Sequence, residues 1–400
     1  MTKHGILDKA DIALDVAILL VAGLMMLIAG VLLFPVSRGV IPYYENGLYG
    51  VLLFIFALQT AMLGRTPFGD RARSRGLLVA GTVIASVGIV TCFIPGALAH
   101  VPRILLFVCF GPGGLALLLQ MLLAEDKLRS WVRYGGIVGR LALACGSVYA
   151  LSILVGALVW RHSSLATHAA AIVVLLHGLS IIYLAVVLQR IYRRYPQATG
   201  SFDGDSNLAP DKVMILMTGF FMLILGVLLV PVNLGILPFS ASAQLGLLAI
   251  IHAIQMIAFG STPIGAFPRS WLLVLLGSVF AALGITSCVV PGVLAPCLTL
   301  IVATLNILGG IIGVRKACAP LLRKSEQPGE PLPGILVSLF RTQLTMNLLS
   351  ILFGASMLVS GIIPALAIGV ILAANGCLLL FLLRILVTLE RMQRNVETAA

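Results

Sequence analysis

This chain of 400 residues has few charged residues. Charged residues make up 10% of it, and only 14 residues are acidic. Soluble globular domains have about 25% charged residues. Apolar residues make up 60% of the chain, and its mean hydropathy is +1.12. This balance excludes a soluble globule, a disordered chain and a nucleic-acid-binding domain, and the net charge of +12 does not change that conclusion.

Motifs that carry chemistry are also missing from the sequence. It has no Walker A loop, no H-E-x-x-H, no Gly-x-Ser-x-Gly and no Cys/His array with metal-ligand spacing. The seven cysteines form no C-x-x-C pair, and all but Cys318 lie in or at the ends of apolar runs, where a thiol behaves as a small apolar group. We therefore expect no enzymatic activity, no metal and no cofactor.

Long apolar runs dominate what remains, and twelve of them are long enough to cross a bilayer. A helix needs about 20 apolar residues to cross a hydrocarbon core of roughly 30 Å. The runs are continuous and do not alternate, which predicts helices and excludes a membrane β-barrel. The predicted fold is all-α, a polytopic membrane helical bundle. Its predicted spans are 12–34, 47–64, 76–94, 99–123, 136–160, 166–189, 212–234, 244–260, 271–290, 294–314, 335–360 and 363–388.

The distribution of Lys and Arg gives these spans an orientation. With the N-terminus inside, the outer loops hold only Arg38, Arg103 and Arg161, and the other 23 of the 26 Lys and Arg lie in or beside cytoplasmic segments. Because the span count is even, the C-terminus is then cytoplasmic as well. We expect a multi-pass protein of the cell inner membrane. Its partners would be the lipid bilayer, with anionic lipids at the basic loops, and no nucleic acid.

The chain also repeats itself internally. Residues 23–99 align without a gap onto residues 219–295 at an offset of 196, with about 34 of 77 positions identical. The later segments align at an offset of 198. We predict two six-helix repeats, 1–195 and 212–400, joined by a cytoplasmic linker at 196–211. Each repeat has an even number of spans, so the two repeats are parallel in the membrane.

Within each repeat, pairs of glycines mark helical hairpins. The two glycines of a pair are seven residues apart, nearly two helical turns, so both lie on one face of a helix. Their missing side chains let helix backbones approach closely, and this matters because lipid does not drive apolar side chains together. A Pro follows each pair and is expected to end the outgoing helix. The predicted packing glycines are Gly23, Gly30, Gly81, Gly88, Gly219, Gly226, Gly277, Gly284, Gly354 and Gly361.

Six-span units of short hairpins, with Gly-x6-Gly followed by Pro-Gly-Ala-Leu-Ala, resemble the HdeD-like acid-resistance membrane protein family. The match is best over residues 81–99 and 277–295. Members of that family are typically single six-span units, so this chain would be a fused double copy. The resemblance implies a non-enzymatic membrane protein with a stress or envelope-related role, and it supplies no catalytic residues.

The chain is also similar to the major facilitator superfamily, which has twelve spans in two parallel halves. That family carries Gly-x-x-x-Asp-Arg-x-Gly-Arg-Arg between its second and third spans, where this chain reads GRTPFGDRARSRG (64–76). Asp70 and Arg71 fit the motif, but Gly64 lies six residues before Asp70 and not four, and the second repeat has Ala266 in place of Asp70. This resemblance implies the alternative function, a secondary transporter that moves a small solute or a proton between the two halves.

Polar side chains inside the predicted spans are the candidates for a site, because burying them costs free energy unless they are paired. Gln59 and Gln255 occupy equivalent positions of the two repeats, and His252 shares a helix face with Gln255. These three are the candidate substrate-binding residues of a transporter, and helix-joining hydrogen bonds are the alternative role. His177 aligns with Asn375 and is either a proton sensor or an interhelical hydrogen bonder.

Charged residues at the predicted cytoplasmic ends receive simpler interpretations. Asp15 and its repeat partner Asp211 lie where a carboxylate meets the positive end of a helix dipole. We expect both to cap their helices, with a proton-relay role as the alternative. The basic clusters at 65–75 and 190–194 are expected to set the membrane topology, and not to bind a ligand.

Overall fold

The computed structural model describes residues 8–124, 133, 135–161, 165–198, 208–323, 334–359 and 364–399. Within these ranges twelve helices are long and apolar enough to cross a membrane, and strands occur only as two short hairpins. The all-α fold class and the twelve predicted spans are confirmed. The chain is a multi-pass membrane protein.

The elements repeat in the same order in both sequence repeats. The helices are α1 (Leu14–Ser37), α2 (Glu45–Leu58), α3 (Arg75–Phe93), α4 (Val101–Leu123), α5 (Gly136–Arg161), α6 (His168–Arg194), α7 (Pro210–Asn233), α8 (Ala241–Ile254), α9 (Trp271–Val289), α10 (Ala295–Arg323), α11 (Gly334–Leu358) and α12 (Ala365–Ala399). The antiparallel strand pairs are β1 (Arg65–Thr66) with β2 (Gly69–Asp70), and β3 (Ser261–Thr262) with β4 (Gly265–Ala266). The first pair follows α2 and the second follows α8.

The packing of these elements divides the chain into two units. The first unit comprises Met1–Asn207, Phe239–Gly260 and Pro268–Ala295, and the second comprises Leu208–Pro238, Ser261–Phe267 and Pro296–Ala400. Helices α8 and α9 therefore pack with the first six helices, although their sequence belongs to the second repeat. We call the end of the first unit at which α1 begins its N-terminal face.

Glycines set which helices pair. In the first unit α1 packs along α6, α2 along α3 and α4 along α5, and in the second unit α7 packs along α12. Gly30 of α1 lies on Leu175 of α6, where an added Cβ would come 2.5 Å from the Leu175 backbone nitrogen. Gly88 of α3 lies on Gly50 of α2, where a Cβ added to Gly88 would come 2.7 Å from the Gly50 carbonyl oxygen. The glycine face of α1 thus meets α6, although α2 is the next helix in the chain.

The same close approach occurs at every predicted packing glycine that the structure describes. An added Cβ would lie closer than 3.0 Å to an atom of a neighbouring helical segment at each of them. These positions are Gly23, Gly30, Gly81, Gly88, Gly219, Gly226, Gly277, Gly284 and Gly354. Gly361 lies outside the described residues.

The prolines do not end all of these helices in the expected way. Pro95 and Pro291 lie just beyond the ends of α3 and α9, as predicted. Pro35 and Pro231 instead lie inside the last turns of α1 and α7. A Pro so close to a helix end removes a single backbone hydrogen bond, so the helix continues for two more residues before it stops.

Within the first unit, the α2–α3 pair packs against its repeat counterpart, the α8–α9 pair, through reciprocal hydrogen bonds. The Tyr44 N–H donates to the Val289 carbonyl at 2.9 Å, and the Ser240 N–H donates to the Phe93 carbonyl at 3.0 Å. Tyr44 and Ser240 are equivalent at the repeat offset of 196, as are Phe93 and Val289. Burial raises the pKa of the Tyr44 hydroxyl, which donates to the Cys92 carbonyl at 3.1 Å. The two copies of this helix pair therefore meet about a local pseudo-twofold axis.

The crossing of α1 and α6 predicts a specific cost for one added methyl group. We expect Gly30→Ala to lower the free energy of unfolding by about 1–3 kcal/mol, because the added methyl group would clash with the backbone of Leu175 and not with a flexible side chain. Gly76→Ala is the matched control, since only Ser74 Oγ lies nearby, at 3.8 Å. The control is expected to be neutral or to gain up to about 1 kcal/mol from helix propensity. Thermal unfolding of both variants in one detergent measures the difference, and equal stability would contradict the close crossing.

Candidate functional site

The first unit encloses a cavity of about 470 Å³. Helices α1, α2, α4, α5 and α6 and the β1–β2 hairpin line it, so all of its lining belongs to the first sequence repeat. Pockets that hold small molecules measure roughly 300–1,000 Å³, and this cavity lies within that range. Its walls are mostly apolar, and its polar lining residues are Gln59, Arg65, Thr66, Asp70, Gln120, Tyr149, Ser152 and His177.

The cavity runs from the N-terminal face toward the middle of the helices. Arg65 and Asp70 line the end at the N-terminal face, and His177 lies at the deep end. At the depth of Phe110, α4 and α5 are in backbone contact, because an added Cβ at Gly156 would come 2.4 Å from the nitrogen of Gly111. The α4–α5 pair is thus closely packed beside the deep end of the cavity.

A local break in α2 forms the end of the cavity at the N-terminal face. At Gln59 the helix widens into a single π-helical turn, Gln59–Leu63, which ends at Gly64 with a φ of +68°. Only glycine fits there, because the φ is positive and a Cβ would come 2.2 Å from the Arg71 carbonyl oxygen. The reversal at Gly64 directs the chain into the β1–β2 hairpin. Single π-helical turns are frequent at functional sites.

The β1–β2 hairpin is held against α4 by two contacts. Gln120 Nε2 donates to the Phe68 carbonyl at 2.7 Å. Gly113 leaves room for the Pro67 ring, which would lie 2.8 Å from a Cβ at that position. The hairpin of the second repeat, β3–β4, has the same register. Both repeats therefore build this turn, and in the first repeat it lines the cavity.

A buried carboxylate ties three elements together beside the cavity. Asp15 of α1 is 1% exposed and accepts hydrogen bonds from Arg65 Nη2 at 3.1 Å and from the Tyr192 hydroxyl at 2.5 Å. Arg65 Nε also lies 3.8 Å from Asp70 Oδ1. As expected of a capping carboxylate, Asp15 lies in the first turn of α1 and accepts a hydrogen bond from the Val16 N–H at 2.8 Å, although the N-cap residue itself is Ala13. From there its side chain reaches β1 and α6.

The second repeat joins the equivalent helices with different chemistry. Lys212 of α7 forms an ion pair with Glu390 of α12, and Glu390 is the repeat counterpart of Tyr192. Arg65 and Asp70 correspond to Ser261 and Ala266 in the second repeat, so neither charge is duplicated. The two repeats share a backbone plan and have diverged in the charges beside it.

At the deep end of the cavity, His177 is 3% exposed. Its ring packs edge-on against Phe110 with 5.8 Å between ring centroids, and its Nδ1 atom has no hydrogen-bond partner among the described residues. The predicted interhelical hydrogen bond is not made by this atom. Gly178 makes the close contact with α1 instead, so that the neighbouring imidazole lines the cavity. Ser152 nearby is satisfied, because its hydroxyl donates to the Phe110 carbonyl at 3.0 Å.

The structure brings two of the four predicted site residues to this cavity. Gln59 and His177 both line it, whereas His252 and Gln255 are not among its lining residues. His252 Nδ1 pairs with the Leu248 carbonyl of its own helix at 2.8 Å. Gln255 begins the π-helical turn of the second repeat, as Gln59 does in the first. The described residues contain no group of three or more His, Cys, Asp or Glu that could hold a metal ion.

Six polar lining residues were not predicted from the sequence as site residues, namely Arg65, Thr66, Asp70, Gln120, Tyr149 and Ser152. For four of them the repeat contains a signal, because the equivalent position is also polar. Thr66, Gln120, Tyr149 and Ser152 correspond to Thr262, Lys316, Asn347 and Ser350. The charges of Arg65 and Asp70 are not repeated, and a basic residue in a short loop is also what membrane topology requires.

The carboxylate beside the cavity predicts a strong effect of one arginine. We expect Arg65→Met to lower the free energy of unfolding by about 1–3 kcal/mol, because the Asp15 carboxylate stays buried and loses its charged partner. Arg71→Met, on an exposed side chain of the same loop, is the matched control and is expected to have little effect. Thermal unfolding of both variants checks this. Equal stability would show that the Asp15–Arg65 pair does not hold α1 to the hairpin.

Comparison of this chain with known proteins identifies no relative. No protein-family model, no curated protein and no solved structure matches this chain. The resemblances to the HdeD-like family and to the major facilitator superfamily therefore stay predictions, and function has to be argued from the cavity and its residues.

Proposed function

We propose that this chain is a secondary transporter that binds a small solute inside its first repeat. The observation that carries the proposal is the cavity of about 470 Å³, which runs from the N-terminal face to the middle of the helices. A carrier needs a site near the membrane midplane that solute reaches from one side at a time. The lining residues Phe110, Ser152 and His177 support this, because they lie near the middle of α4, α5 and α6.

In this proposal the protein is not an enzyme, and it lies in the cell inner membrane. The predominance of Lys and Arg in alternate loops supports a cell inner membrane protein with both termini cytoplasmic. In that orientation the cavity faces the cytoplasm. The same basic loops would contact anionic lipids of the inner leaflet.

A second candidate is the stress or envelope-related role that the HdeD-like resemblance implies. It is favoured by polar side chains that are satisfied between adjacent helices, as expected of a structural bundle. Asp15 is paired with Arg65 and Tyr192, and in the second unit the Ser350 hydroxyl donates to the Asn306 amide oxygen at 2.9 Å. In this candidate function the cavity carries no solute.

The test begins with a thermal-unfolding screen of the purified protein at pH 5 and pH 7. Sugars, amino acids, organic acids, alcohols and common ions are the test solutes. A solute that binds only the folded state stabilises it by about 2.7 kcal/mol at one hundred times its dissociation constant. Uptake of each stabilising solute into proteoliposomes then separates transport from binding.

A pair of equivalent leucines supplies the variants for both measurements. Leu184→Trp is expected to fill the cavity, which Leu184 lines, and to abolish both the thermal shift and the uptake. Leu382→Trp makes the same change at the equivalent position of the second repeat and is expected to keep both. Uptake that survives Leu184→Trp would contradict the transporter. Stability that responds to pH but to no solute would favour the HdeD-like role.

A further inference from the structure

Some polar groups that line the cavity are already hydrogen-bonded to other groups of the protein, and one is not. Near the N-terminal face two of the groups are already paired, since Arg65 bonds to Asp15 and Gln120 donates to the Phe68 carbonyl. At the deep end the Ser152 hydroxyl is paired with the Phe110 carbonyl. His177 Nδ1 is a buried polar atom with an unmet hydrogen bond, on a residue that lines the cavity. Because almost none of the surface of this atom is accessible, the imidazole has to turn before Nδ1 can meet a molecule in the cavity.

An unmet hydrogen bond at such depth costs free energy, and a bound molecule that supplies the missing partner recovers that cost. The walls around the deep end are apolar, with Ile181 and Phe110 among them. The charged lining residues, Arg65 and Asp70, lie at the other end. A cation beside His177 would be desolvated without a counter-charge, and an anion would find one only if the buried imidazole took up a proton. Both cost free energy in this apolar environment, so the polar group that enters first is neutral.

The chemistry of an imidazole narrows this group further. In the neutral ring, Nδ1 is either the donor or the acceptor, depending on the tautomer. A hydroxyl group fits both cases, because it donates one hydrogen bond and accepts others. The rest of the molecule has to match the apolar walls.

We infer that the cavity binds a neutral, mostly apolar alcohol whose hydroxyl group pairs with the imidazole of His177 at the deep end. The inference rests on the proposed solute site and names its ligand class. The apolar body of the alcohol lies along α1, α5 and α6 toward Gln59, whose amide borders the other end. Such molecules come either from free solutes or from lipid-derived glycerides with a free hydroxyl.

The test uses photolabelling of the full-length protein in lipid nanodiscs. A diazirine derivative of 1-decanol is the probe, and mass spectrometry locates the labelled peptides. We expect the label on the lining helices α5 and α6, with 1-decanol competing. Decane lacks the hydroxyl group, and decanoate and decyltrimethylammonium are charged, so none of these three should compete. Competition by a diacylglycerol identifies lipid as a source of the ligand, and competition by 1-decanol alone identifies free alcohols.

Three variants assign the hydroxyl contact to His177. His177→Leu should weaken the 1-decanol competition by about fivefold, which is the effect of one lost hydrogen bond. His177→Asn places the residue of position 375 at this site and should keep most of the binding, because an amide donates and accepts. Asn375→Leu is the matched control in the second repeat and should bind as the unaltered chain does.

Two results would overturn the inference. One is labelling that decane blocks as well as 1-decanol does, and the other is labelling that His177→Leu leaves unchanged while the protein stays folded. A result that refutes transport differs from a result that refutes the proposed ligand. Labelling that depends on His177, without uptake of alcohol into proteoliposomes, would leave the binding site standing and refute transport. Uptake of a charged solute that alcohols do not inhibit would refute the ligand class alone.

Discussion

The close approach of helix backbones at glycines is the constraint on which the rest of this structure depends. In lipid, apolar side chains gain nothing by leaving their surroundings, so helices associate where small residues allow backbone contact. Gly30 on Leu175 joins α1 to α6, and Gly156 on Gly111 joins α5 to α4. These contacts fix the helices in two pairs, and the cavity is lined by all four of these helices together with α2.

The two repeats share this backbone arrangement but differ in their polar side chains. Both repeats have the π-helical turn, the following strand pair and the glycine crossings. At the equivalent ends of α1 and α7, however, Asp15 pairs with Arg65 in one repeat and Lys212 pairs with Glu390 in the other. A glycine at a backbone contact cannot be replaced by a larger residue without a clash. An ion pair between two helices can be formed by several combinations of charged residues. A specialised site in one repeat is a natural outcome of that difference.

The sequence predicts the architecture well, because hydropathy and repetition are local or periodic signals. It predicts the twelve spans and the small faces of the helices. It does not predict that the glycine face of α1 meets α6, since a small face is complementary to any other small face. The partner of Asp15 lies 50 residues away in Arg65, and no spacing reports such a pair. Gln59 and His177 were found because buried polar residues are rare, but the cavity that joins them arises only from packing.

Reactivity of the native cysteines tests the cavity most directly. Cys145 lines it on α5, whereas Cys92 and Cys288 are 0% exposed and lie outside its lining. Variants that each retain one of these three thiols would be treated with a small maleimide in intact membranes. The account predicts that Cys145 reacts much faster than the other two and that Leu184→Trp protects it. Equal protection of all three thiols until the protein unfolds would contradict an accessible cavity in the first repeat.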